Sequence, residues 1–249
     1  MRYFINLSFN GAPFSGWQIQ KNAISVQGEL QNAISTLLKE PITITGAGRT
    51  DSGVNAINYI AHFDTKNALK AELFVYKINA ILPKEISVNS ISEVSEEMHA
   101  RFSAISRTYK YYIHLKKNPF IKDFSYYFPY KYLDINKMNE AALHFIGEHD
   151  FACLQKAHSD VKTTICNVTE AFWEPLNMTK EPFSSDFVFT VSANRFLRNM
   201  VRAMVGTLLE VGTGKKDPNW IPLLLKSKNR CMAGNSVPGN ALFLTNIKY

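Results

Sequence analysis

Two successive passes of one element order constrain this chain more than any other feature. Tyr3, Ile5, Leu7 and Phe9 alternate with polar residues, the period of a half-buried strand. Ser25 then stands as an N-cap before a helical stripe of Val26, Leu30, Ala33, Ile34, Leu37 and Leu38, with Pro41 beyond its end. Residues 42–46 and 56–64 read as strands, 70–82 as a helix stopped by Pro83, and 86–95 as a strand. The second pass runs through a strand over 107–115, a helix over 136–147, strands over 163–174 and 185–193, an apolar helix over 196–211 and a last strand over 242–247. Each pass is β-α-β-β-α-β, the split βαβ order of a ferredoxin-like unit. The expectation is an α+β chain of two ferredoxin-like halves, 1–104 and 105–249, whose antiparallel sheets join side by side around a central cleft. Such junctions favour pockets. The halves share little sequence, so the repeat is one of pattern.

The length of 249 residues suits one large domain or two modest ones. Lys and Arg number 28 against 21 Asp and Glu, a formal charge of +7, which makes nucleic acid or another anionic surface a candidate partner. Cys153, Cys166 and Cys231 are scattered, with neither a disulfide framework nor a zinc spacing, so a reducing cytoplasmic setting is expected. The first residues read as a strand rather than a signal peptide. No apolar run approaches the length of a membrane span.

Between two of the strands lies Gly46-Ala47-Gly48-Arg49-Thr50-Asp51-Ser52-Gly53-Val54-Asn55-Ala56. It fails the common glycine-rich templates. Asp51 stands where a dinucleotide fingerprint needs its third Gly, and Gly53 is followed by Val54 rather than the Lys of a phosphate loop. Glycines let a large ligand come close to the main chain, which would set Asp51 up for chemistry. Ordinary turn formation explains Asp-Ser-Gly equally well at this level.

Further along, Arg198 and Arg202 are four apart in a helix-like run, and Arg202 is the deeper of the two; burying it beside the apolar stripe would require a carboxylate partner. Exposed snorkelling is the alternative. Tyr109, Tyr111 and Tyr112 interleave with Arg107 and Lys110, a pattern able to stack bases and neutralise phosphates, or equally to form an aromatic core face. The six histidines show no metal-ligand spacing, and Cys153 with His149 and His158 makes no defined zinc or nucleophile signature. No G-x-S-x-G elbow is present.

Taken in order, these segments resemble the TruA-type tRNA pseudouridine synthases nearly end to end. The pattern G-x-G-R-T-D-x-G-V-H-A is met by Gly46 to Ala56, with Asn55 in place of His. Phe9 to Gln18, Val26-Gln27-Gly28-Glu29-Leu30, Phe102-Ser103-Ala104 with Arg107 to Tyr111, Gly147 to Phe151, and Phe196 to Arg202 match five further elements. The resemblance implies isomerisation of uridine to pseudouridine at positions 38, 39 and 40 of the tRNA anticodon stem-loop. It also implies a homodimer, tRNA as partner, and neither cofactor nor metal. By matched motif, Asp51 is the catalytic residue, Tyr109 stacks on the target base, Arg202 partners the Asp51 carboxylate, and Arg49 helps extrude the base.

The residue types suit that reaction. Flipping the base costs a few kcal/mol, which Arg49 and Tyr109 can offset. An ionised Asp can attack the sugar, attack the base or abstract a proton. Asn55 is a departure expected to have little effect on chemistry. Ala157 to Thr163 departs from a Cys-containing form, and Ala241 stands where Gly is common. Two other classes compete. One is a non-catalytic RNA-binding protein of the same fold, which predicts a degraded Asp51 loop, whereas the loop is intact. The other is a nucleosidase or glycosidase, which would need a second placed carboxylate.

Overall fold

The computed structural model describes residues 1–156, 161–176 and 185–249. The His158 end of the departure noted above lies outside these residues. In chain order the first elements are β1 (Arg2–Phe9), α1 (Val26–Leu38), β2 (Thr45–Gly46), β3 (Asn55–Asp64), α2 (Ala71–Ile81), β4 (Ile86–Val94) and β5 (Ser106–His114). Then come β6 (Tyr126–Tyr127), α3 (Ile135–Leu143), β7 (Gly147–Asp150), β8 (Ile165–Pro175), β9 (Phe187–Ala193), α4 (Met200–Gly212), α5 (Trp220–Ser227) and β10 (Leu242–Lys248). The fold is α+β with mostly antiparallel strand pairing, and the chain divides into two compact units, 1–105 with 243–249, and 106–242.

In the first unit β1 lies between β4 and β3, antiparallel to both, and β10 runs parallel to β3 on its other side. Tyr3, Ile5, Leu7 and Phe9 all point into the core, as the alternation requires. The Ser25 hydroxyl caps α1 by accepting the Gly28 N–H, and Lys39 in the left-handed region ends it before Pro41. Phe74 of α2 stacks on Phe63 of β3, and the Asn79 amide bonds both Val88 N–H and Val88 C=O, tying α2 to β4. Pairing of β1 shifts register beside Leu7 against both neighbours, just where the strand runs out towards Gly11.

His62 of β3 is buried, and its Nδ1 accepts the Ala100 N–H at 3.1 Å. Burial, then Arg2 and the His99 ring, pushes its pKa down to about 4, while burial first also lowers that of His99. An unfolded imidazole titrates near 6.5. Protonation therefore favours the unfolded chain as pH falls below that value. Stability is full above it and declines towards about 4. The expected loss for His62, discounted for solvent screening, is about 1–2 kcal/mol. Urea midpoints across this range should fall in the wild type and fall less in His62→Asn, which keeps an acceptor but cannot titrate. Equal declines would refute the assignment.

The second unit orders its strands β5-β9-β8-β7, all antiparallel, with β6 parallel beside β5. α4 is buried over nearly its whole length, as expected of a helix apolar on most sides. A methyl group on its Gly212 would stand 2.4 Å from Met138 Sδ, so α3 and α4 touch closely. The Asn139 amide pins α3 to Trp173 of β8.

Several sequence expectations change here: the strand expected over 42–46 is confined to Thr45–Gly46, and the short strands β6 and β7 were not expected. The helix expected over 196–211 starts at Met200, because Asn199 takes φ 67, a left-handed conformation that asparagine tolerates but a helix does not continue through. Arg198 therefore precedes the helix and does not share a face with Arg202. The helix expected to 147 ends at Leu143, after which Gly147 at φ 104 opens β7. α5 was not anticipated; Pro222 sits in its first turn, where no intrahelical N–H is needed.

Candidate active site

The loop carrying Asp51 is braced from behind by the segment 10–17. The Asp51 C=O accepts the Val54 N–H at 3.2 Å, and Gly53 at φ 76 completes a tight turn. Ordinary turn chemistry thus shapes the loop. The contacts around it go further. Trp17 N–H donates to the Thr50 C=O at 3.3 Å, the Ser52 hydroxyl donates to the Phe14 C=O at 3.3 Å, and Gly11 N–H donates to Asn55 Oδ1 at 2.8 Å. At Gly16, with φ 88, a Cβ would lie 2.3 Å from the Thr50 oxygen; at Gly11 it would lie 2.2 Å from the Val54 oxygen. Only glycine lets these two backbones meet.

Beneath the loop, Tyr59 is fully buried and stacks on Trp17 with ring centroids 4.1 Å apart. Its hydroxyl donates to the Gly48 C=O and accepts the Gly48 N–H. A side chain on Gly46 would enter the space of both rings. Gly48 differs: nothing lies within 4 Å of where its Cβ would be. Arg49 is exposed and Asp51 half-buried.

Tyr109 is half-buried on β5, paired with Val191, and its ring meets Phe196 edge to face at 5.2 Å. Tyr111, two residues on, is fully buried; its hydroxyl donates to the Pro238 C=O at 3.0 Å, and burial pushes its pKa up. Tyr111 is therefore core rather than a base-stacking surface. On α4, Arg202 is half-buried; its Nε donates to the Val237 C=O at 2.7 Å, and its own C=O accepts the Val237 N–H. Arg198 is exposed. Arg49 and Asp51 thus share one turn of the first unit, while Tyr109 and Arg202 belong to the second. Burial pushes the Cys153 and Cys166 thiols up to about 11, which leaves them unreactive near neutral pH.

Sequence reasoning missed Asn55 and Val237 as supports. The Asn55 departure from the family pattern was a visible signal; nothing marked Val237.

A half-buried carboxylate on a backed turn, in a basic α+β chain, is an arrangement able to act on an anionic substrate. Comparisons narrow this reading. A family model described as tRNA pseudouridine synthase matches residues 141–249. The tRNA pseudouridine synthase A of Bacteroides thetaiotaomicron is 46% identical over 100% of this chain and 90% of its own. That of Bacteroides fragilis is 47% identical over 100% and 96%, and that of Bacillus subtilis 36% over 100% and 99%. The chain belongs to the tRNA pseudouridine synthase A family.

Proposed function

We propose that this chain isomerises uridine to pseudouridine at positions 38, 39 and 40 of the tRNA anticodon stem-loop. The isomerisation itself follows from family membership. The observation that supports the site assignment is the braced Asp51 turn, with Arg49 exposed beside it. In this reading residues 1–104 supply the catalytic carboxylate. Residues 105–249 supply Tyr109, which stacks on the flipped base, and Arg202, which keeps the carboxylate ionised. Arg49 takes the place of the extruded base. The bond from nitrogen 1 to the sugar breaks and one from carbon 5 forms. Carbon 5 loses a proton and nitrogen 1 gains one, so the reaction balances without a co-reactant.

The order β4-β1-β3, with the short β2 on the far side of β3, supports reading the first half as ferredoxin-like, and we extend that reading to the second. We further propose a cytoplasmic homodimer that grips the tRNA with both subunits. Exposed Lys21, Lys39, Lys66, Lys70, Lys116, Lys117 and Lys122 suit phosphate contacts. No described helix is long and apolar enough to cross a membrane.

Unmodified tRNA transcripts labelled with tritium at carbon 5 of uridine test the proposal. Release of tritium is expected from a transcript with uridines at 38–40. It should vanish when those positions are cytidine. Release that persists would place the target elsewhere in tRNA, and free uracil would mark a nucleosidase instead.

A further inference from the structure

We infer that Asn55 is a positioning residue for Asp51, acting through the backbone of residues 11–17; the inference rests on Asp51 being the catalytic carboxylate. Asn55 opens β3 four residues after Asp51 and is only 1% exposed. Its Oδ1 accepts the N–H of Gly11, 44 residues away in sequence, in a hydrogen bond buried on both sides. Gly11 rests against the Val54 carbonyl more closely than any residue with a Cβ could. Its N–H is therefore committed to the interior, where an unmatched donor is strongly disfavoured.

The amide of Asn55 lets the segment come this close. The consequence reaches Asp51 by a short route. From Gly11 the segment passes Phe14, whose carbonyl holds the Ser52 hydroxyl. It then passes Gly16 and Trp17, which press on the Thr50 carbonyl from the other side of Asp51. Contacts on Thr50, Ser52 and Val54 thus hold the turn on both flanks of the carboxylate, and Asn55 anchors the Val54 end. Remove its acceptor, and the Gly11 N–H can be satisfied only if the segment draws back. The turn then loses its support, and Asp51 is free to move relative to a bound uridine. The position where the family pattern carries His thus holds a different side chain that presents a hydrogen-bond acceptor.

The test compares Asn55→Leu, close in shape but without an acceptor, with Asn55→Asp, which restores one. Single-turnover tritium release, tRNA affinity and thermal midpoint are measured for each. If Asn55→Leu does not fold, Asn55→Ala, which adds no atom to the site, replaces it. Misplacing a catalytic group by about an ångström can slow turnover by about 100-fold. The expected result for the acceptor-free variant is a fall in rate of about 10- to 100-fold with tRNA affinity unchanged. Asn55→Asp should recover most of the rate.

Wild-type turnover in the folded acceptor-free variant would overturn the inference. So would equal impairment of Asn55→Leu and Asn55→Asp, or a loss confined to tRNA affinity. Asp51→Ala is run alongside. Turnover in that variant would sink the catalytic reading itself, whereas an inactive Asp51→Ala beside a normal Asn55→Leu would sink only the role given to Asn55.

Discussion

Asp51→Ala should release no measurable tritium from tRNA, a fall of at least about a thousand-fold, while binding tRNA as the wild type does. Its side chain stands on a turn whose neighbours are committed to structure: Thr50 and Ser52 face the 10–17 segment, and Val54 is buried against Gly11. Asp51 is the carboxylate this turn presents. Affinity for a polyanion comes mainly from many phosphate contacts, so it should survive the change. If Arg202 keeps that carboxylate ionised, Arg202→Ala should be nearly inactive although it transfers no proton. Turnover near the wild-type rate in Asp51→Ala would transfer the chemistry to another group; the same result in Arg202→Ala alone would remove only the proposed partnership.

Gly206→Ala is expected to destabilise the protein by about 3 kcal/mol or more. The added Cβ would fall 1.7 Å from the carbonyl oxygen of Asn235. The obstruction is backbone, so no rotamer change relieves it. Gly234 meets the same helix from the other side: a Cβ added there would stand 2.6 Å from the Gly206 oxygen, and its N–H donates to the Thr207 hydroxyl. The strand of chain displaced would carry Val237 with it, and Val237 holds the Nε of Arg202. Stability and turnover should therefore fall together. Gly48→Ala is the control: with open space around it and no positive φ, its stability should stay within about 0.5 kcal/mol of the wild type. Urea denaturation of both variants decides the matter. A wild-type midpoint for Gly206→Ala would mean that the helix and residues 234–237 can part at little cost.

Strands were the most legible part of the fold, because burial on one face writes itself as alternation. Tyr3 to Phe9 shows it without exception. Helix ends were less legible where one residue's backbone decided them. Apolar spacing runs unbroken from Phe196 into α4, yet Asn199 turns left-handed and sets the boundary. α5 was obscured by Pro222, which is a breaker in a helix interior and harmless in a first turn. At the site, the residue types of the Asp51 turn could be read directly. Their supports could not, since Gly11 with Asn55 and Arg202 with Val237 meet only after folding. The glycines of the loop read as room for a ligand to approach the main chain, whereas Gly46 leaves room for Trp17 and Tyr59.

The place of β10 has a consequence for how the protein is made. Residues 243–249 belong to the first unit: Phe243 and Leu244 pair with Asn55 and Ala56, Lys248 receives the Ile105 N–H, and the Tyr249 hydroxyl reaches the Ala100 C=O. A ribosome delivers them only after all of 106–242. Domains commonly fold in the order in which they emerge. Here the unit translated first must wait, with the edge of β3 next to the Asp51 turn uncovered, until the second has been synthesised. A nascent chain stalled anywhere within residues 106–242 therefore lacks the strand that covers β3 beside the Asp51 turn.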